Sequence, residues 1–180
     1  MLAQEAAMFL TLQAASLVLF ASLVVVAGAK DLTSYTIPNW ISLALLGGFP
    51  VLALSLGFSP SQIGVHAGVG FAALLIGMGM FAAGWIGGGD AKLFAAGALW
   101  LGWPGAIPYV VFTGLAGGVL TSGLLSLRSP LFRPMALAGP PWMAKLAEPR
   151  GDIPYGVAIA VGALAALPGS DLLKGLPLPF

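Results

Sequence analysis

The sequence predicts an all-α, polytopic membrane protein of about six transmembrane helices, and three observations predict it: composition, repeated apolar runs, and the placement of a few charges. Of 180 residues, 59% are hydrophobic and 7% charged, against roughly a quarter charged in an ordinary soluble domain. The solvent of such a chain is lipid. A bilayer core about 30 Å thick takes ~20 apolar residues per helical crossing, so residues 1–180 are expected to form a single integral membrane domain.

Taken in order, the apolar runs fall at 8–29, 38–57, 63–85, 91–103, 106–127 and 153–167, separated by Pro, Gly and polar punctuation. The first is too long for the apolar region of a signal peptide and lacks a basic segment before it, so it is read as a retained helix. The second opens on Pro38-Asn39, with Pro tolerated in a first helical turn. The fourth and sixth are short for a full crossing and are expected either to extend or to sit in thinner bilayer. Six of the seven basic residues, Lys30, Lys92, Arg128, Arg133, Lys145 and Arg150, border loops of one parity, and Lys174 alone lies on the other. Cytoplasmic loops collect Lys and Arg. Both termini are therefore expected outside, with loops 30–37, 86–90 and 128–152 inside. Glycine pairs four apart, Gly64/Gly68 and Gly114/Gly118, read as helix-packing devices.

Composition also excludes. With no cysteine there is no disulfide framework, thiolate nucleophile or Cys-based zinc site; no metal and no cofactor are expected. A net charge of +1 gives no argument for nucleic acid.

Chemistry must come from six acidic side chains. Glu5 and Asp171 lie near the termini and read as solvated. Glu148 reads as a loop charge and Asp152 as a helix cap. Asp31, after the first run, and Asp90, after Gly87-Gly88-Gly89, fall at one membrane level. Two carboxylates held together do not both ionise easily, so one keeps a proton while the other serves as base toward water, the chemistry of an aspartic peptidase. The glycines suit a loop of positive φ that a substrate backbone approaches closely. The plainer alternatives are Asp90 as the N-cap of a helix starting at Ala91 and Asp31 as a solvated charge beside Lys30.

Three strings carry a resemblance. Asp31-Leu32-Thr33-Ser34-Tyr35-Thr36-Ile37-Pro38-Asn39 looks like the first catalytic motif of type IV prepilin peptidases, Gly87-Gly88-Gly89-Asp90-Ala91-Lys92-Leu93 is similar to their Gly-x-Gly-Asp-x-Lys-Leu motif, and Ile153-Pro154-Tyr155-Gly156 resembles the segment opening their last helix. The resemblance implies Asp31 and Asp90 as the catalytic pair, with Ile37, Pro38, Asn39, Gly87, Gly88, Gly89, Lys92, Pro154, Tyr155 and Gly156 in support. Presenilin-like relatives place Tyr before the first Asp and carry Pro-Ala-Leu near the end; Ala29-Lys30 precede Asp31, and no such string is present.

The function implied is an aspartic endopeptidase that cuts basic leaders from prepilin-like proteins at the cytoplasmic face of a bacterial or archaeal membrane. Long members add a cysteine-bearing domain and methylate the trimmed pilin. This chain resembles the small forms serving Flp/Tad pili or archaeal flagellins, so methylation is not expected. Lys92 is read as snorkelling to the interface or biasing Asp90. His66 is read as a packing or hydrogen-bonding residue rather than a metal ligand or proton relay. Two rival functions are a small transporter or proton channel using membrane-edge carboxylates, and a non-catalytic assembly scaffold.

Overall fold

Helix α1 (Leu2–Ser34) is the longest unbroken apolar run, and a computed structural model of the protein, describing residues 2–149 and 151–173, carries it into the first string as far as Ser34. Arg150, Lys174 and the Glu5 side chain lie outside the described residues. α1 ends where Tyr35 turns into the left-handed region (φ 55°) and its N–H closes the last turn on the Asp31 carbonyl at 2.8 Å. Pro38 then caps α2 (Asn39–Ser55) with extended backbone, since its ring fixes φ and leaves no amide to satisfy. α3 (Pro60–Ala82) opens on a full capping box, in which the Gln62 amide donates to Ser59 Oγ at 3.3 Å and the Ser59 amide to Gln62 Oε1 at 2.8 Å.

α4 (Gly88–Leu127) corrects the expected gap between the fourth and fifth apolar runs. No loop separates them. One residue, Gly102 (φ 62°, ψ −169°), interrupts an otherwise continuous helix. Phe94 and Tyr109 would lie ~22 Å apart on a straight helix, yet their rings stack at 5.0 Å. The chain therefore folds back at Gly102, with one arm at 88–101 and another at 103–127. Only glycine serves at this turn, because a Cβ would collide with the His66 ring, and φ is positive besides. Two short helices, α5 (Arg133–Leu137) and α6 (Pro141–Leu146), fill the longest connection, and α7 (Tyr155–Ala166) is followed by 3-10 turns at Leu167–Gly169 and Asp171–Leu173.

Every described element is helical, with six apolar segments once α4 is counted as two arms. Three helices, α1, α3 and α4, are long and apolar enough to cross a membrane, and α2 and α7 are shorter apolar helices. The first arm of α4 and α7 rise only about 21 and 18 Å, short of a bilayer core of ~30 Å. Large apolar side chains stand outward all around the bundle, among them Val119, Leu54 and Val18. In water that surface would aggregate; in lipid it is the solvated face.

α4 packs on both α3 and α7, and α1 on both α2 and α7. Trp100, fully buried, locks α1, α2 and α4 together: its ring stacks on Phe20 at 5.1 Å and its Nε1 donates to the Leu45 carbonyl at 2.7 Å. Small residues do bring backbones close, but they are not the pairs the spacing suggested. A Cβ on Gly70 would meet Leu99 Cβ at 2.9 Å, one on Gly77 would meet Ala91 Cα at 3.1 Å, and one on Gly28 would meet Ala160 Cβ at 3.2 Å. At Gly64, Gly68, Gly114 and Gly118 a Cβ would meet nothing within 4 Å. Spacing alone marks a small face without saying what it faces.

Candidate active site

Both aspartates lie at one end of the bundle, each at a helix N-terminus. The first amides of α7 have no partner within the helix, and the Gly156 N–H donates to Asp31 Oδ2 at 2.7 Å. An acid from α1 thus fills the positive end of α7. Asp90 sits in the first turn of α4, where its Oδ2 accepts the Gly87 N–H at 3.0 Å. The N-cap is Gly87, not Asp90, because the helix begins at Gly88 rather than at Ala91. Asp31 and Asp90 are 5% and 6% exposed, so neither is a solvated surface charge.

Their charges interact directly, and the Gly156 amide bonded to Asp31 also acts on Asp90. Oδ1 of Asp90 is buried without a protein partner. Among the described residues neither aspartate forms a salt bridge. An uncompensated buried carboxylate oxygen is costly, so where one occurs it needs an explanation beyond folding.

Ile37 joins the three strings. A Cβ on Gly89 would lie 3.1 Å from Ile37 Cβ, and one on Gly156 would lie 2.8 Å from Ile37 Cδ1 and 2.9 Å from Asp31 Oδ2. The glycines therefore serve close approach. None of Gly87, Gly88 and Gly89 has a positive φ, which corrects that expectation; Gly87 is extended at φ −74°. Gly87 leaves room for Asp90 Oδ2, which a Cβ would meet at 3.1 Å, and a Cβ on Gly88 would meet the Phe81 ring at 3.6 Å. Lys92 does not pair with Asp90. Its Nζ donates to Asn39 Oδ1 at 2.9 Å, tying the start of α4 to the start of α2. Pro154, fully buried, caps α7 with no side-chain hydrogen bond, so Asp152 is not that helix's cap. Asp152 is exposed, and its charge reaches Asp31. A Cβ on Gly117 would meet the Tyr155 ring at 3.7 Å.

Two residues outside the predicted set hold this end together. Arg128, just past α4, donates from Nε to the Leu146 carbonyl at 2.9 Å and from Nη2 to the Asp152 carbonyl at 2.7 Å. It thereby straps the 128–152 connection against the segment leading into Gly156. Tyr35, held in the left-handed region, lies under Lys145 Nζ at 4.8 Å from the ring centroid. Neither was legible: Arg128 reads as a topology charge, and Tyr is not a residue that announces a positive φ.

The other predicted polar residues lie at the far end. His66, 2% exposed, carries its proton on Nδ1, because the Leu99 carbonyl 2.8 Å away can only accept. Its ring lies 5.4 Å from Phe49 and 5.0 Å from Phe58, matching the packing and hydrogen-bonding role expected of it. Asp171 is not simply solvated, since its Oδ2 lies 4.0 Å from His66 Nε2. Among the described residues no group of His, Cys, Asp and Glu could hold a metal ion.

No curated protein and no solved structure matches the chain. The model of the type IV leader peptidase family matches residues 18–122. That match takes in more than half of the chain and contains both aspartates with two of the three strings. The chain belongs to the type IV leader peptidase family.

Proposed function

We propose that this leader peptidase is an aspartic endopeptidase in which Asp31 and Asp90 act on one water. The observation that carries the reading is the pair itself: two buried carboxylates from α1 and α4, in each other's field, with one Asp90 oxygen unengaged. In the single-proton form, the ionised carboxylate takes a proton from water as the oxygen attacks the scissile carbonyl. The protonated one donates to the carbonyl oxygen. Collapse of the tetrahedral intermediate returns a proton to the leaving amine and restores the shared-proton state. Each acid is anchored through Oδ2 by a backbone amide, so neither needs to reorganise as charge moves.

The substrate is a prepilin-like protein with a basic leader before an apolar helix, cut on the cytoplasmic side of the membrane. Lys30, Lys92, Arg128, Arg133 and Lys145 share the aspartate end, which supports that orientation by the bias of cytoplasmic loops toward Lys and Arg. Six spans with both termini outside go with it. Cleavage without methylation is the activity proposed for these cysteine-free residues. A transporter would place its carboxylates near mid-bilayer, whereas these two lie at helix ends.

Co-expression with a candidate prepilin tests the reading against the scaffold alternative. The leader should disappear with the native protein and persist with Asp31→Asn or Asp90→Asn, both still accumulating in the membrane. Cleavage by either variant at a comparable rate would remove the aspartic mechanism.

A further inference from the structure

An apolar groove of about 1150 Å³ runs along the bundle between α3 and the second arm of α4, floored by Phe94 and Ala98 of the first arm and Ile159 of α7. We propose that it seats the apolar helix of the substrate and presents that helix's end to the aspartate pair. The proposal rests on the peptidase reading above and adds where the partner lies.

Three features point to a helix. The groove reaches the site: Ile86 and Tyr155 line it and immediately precede Gly87 and Gly156, whose amides hold Asp90 and Asp31. A helix lying in it therefore ends at the two carboxylates, as cleavage at the junction of a leader and an apolar helix requires. Its size is right, since a helix about 10 Å across occupies ~120 Å³ per residue, and the groove takes about ten residues, between two and three turns.

The third feature is its walls, which carry Gly68 on one side and Gly114 and Gly118 on the other. A Cβ at any of them meets nothing within 4 Å, while Gly70 and Gly77 of the same α3 are packed tight against α4. Small residues let helices approach closely in lipid. Those on α3's inner face are used within the bundle; these await a partner. Among the described residues no charged side chain lines the groove, so it accepts an apolar helix and leaves a basic leader outside.

The cysteine-free chain allows a clean test. Gly114→Cys, placed in the full chain carrying Asp90→Asn, is oxidised in membranes with a probe: a Lys-rich leader, a Gly, and an apolar helix bearing one Cys. A disulfide to the probe is expected from Gly114→Cys and not from Val18→Cys on the outer face of α1, where Val18 is 65% exposed. No disulfide, or one joining two copies of the protein instead, would overturn the proposal.

Kinetics supplies a second arm that separates this inference from the one beneath it. Gly114→Leu and Gly118→Leu point into open space, so folding should be spared. They should raise KM for the helix probe about tenfold or more and leave cleavage of a short peptide ending just after the junction unchanged. If the native protein cuts neither probe, the peptidase reading fails. If it cuts both and the Leu variants cut both equally well, the groove alone is wrong.

Discussion

The two ends of the bundle each hold an acid, and they treat it differently. At the far end Asp171 faces His66 at 4.0 Å, His66 gives its other nitrogen to the Leu99 carbonyl, and buried Gln13 donates to the Leu172 carbonyl at 3.0 Å. The acid there faces an imidazole rather than a second carboxylate. At the aspartate end two like charges face each other, Lys92 spends its ammonium on Asn39, and Asp90 Oδ1 is left without a protein partner. Matched buried polar groups hold a fold together; unmatched ones cost stability and are kept where chemistry uses them. The far end is a fastening, and the aspartate end is a site.

The largest effect should fall where the mismatch is greatest. Asp31→Asn and Asp90→Asn should each lower cleavage by about 10³-fold or more, with the double variant little worse than either, because groups acting as a unit are not additive. Initial rates on a fixed prepilin measure this, and additive losses would mean that the two act separately. The native pair should give a bell-shaped pH profile: at low pH both carboxyls carry protons and the base is lost, and at high pH both are ionised and the acid is lost. A rate that rises to a plateau would mean only one of them titrates in the reaction.

Next comes Gly156→Ala, which puts a Cβ 2.9 Å from Asp31 Cβ and Oδ2. It should lower kcat by about 10- to 100-fold with little change in KM, since displacing a catalytic group by a fraction of an ångström disturbs chemistry more than binding. The opposite split would assign Gly156 to the substrate rather than to Asp31.

His66→Ala sharpens the contrast from the other end. It removes a buried hydrogen bond and the ring that fills the α4 turn at Gly102, and should destabilise the protein by about 2–3 kcal/mol. Thermal unfolding in detergent reads the loss. Turnover per folded molecule should stay near native, and a drop as large as that of the aspartate variants would erase the distinction between fastening and site.

The smallest effects belong to exposed charges. Lys92→Gln breaks the exposed bond to Asn39 and should change stability by less than about 1 kcal/mol. Glu148→Gln and Asp152→Asn should retain most turnover in the same cleavage assay. A collapse of activity in either would show that exposed acids, not only the buried pair, do the chemistry.

The three strings were readable because each is local, a carboxylate beside the small or rigid residues that shape its own turn. What they do to one another was not readable. Ile37 packs against Gly89, about fifty residues on, and against Gly156, more than a hundred on, and Lys92 chooses Asn39 over the nearer Asp90. The break in α4 was expected near Pro104-Gly105 and falls at Gly102, where the His66 ring takes the space of a missing Cβ.

By itself the sequence determined the solvent, the number of apolar segments, the end of the bundle that gathers basic residues, and the strings that hold the two aspartates. These are sums over neighbouring residues. The tertiary structure alone decided which glycines pack and which line the groove, that Asp171 faces a histidine while Asp90 faces another carboxylate, and that one amide of α7 reaches both acids. In water an apolar face points inward, so a sequence reveals how a helix is rotated. In lipid both faces are apolar, hydropathy no longer separates inside from outside, and only the fit of helix against helix sets the rotation.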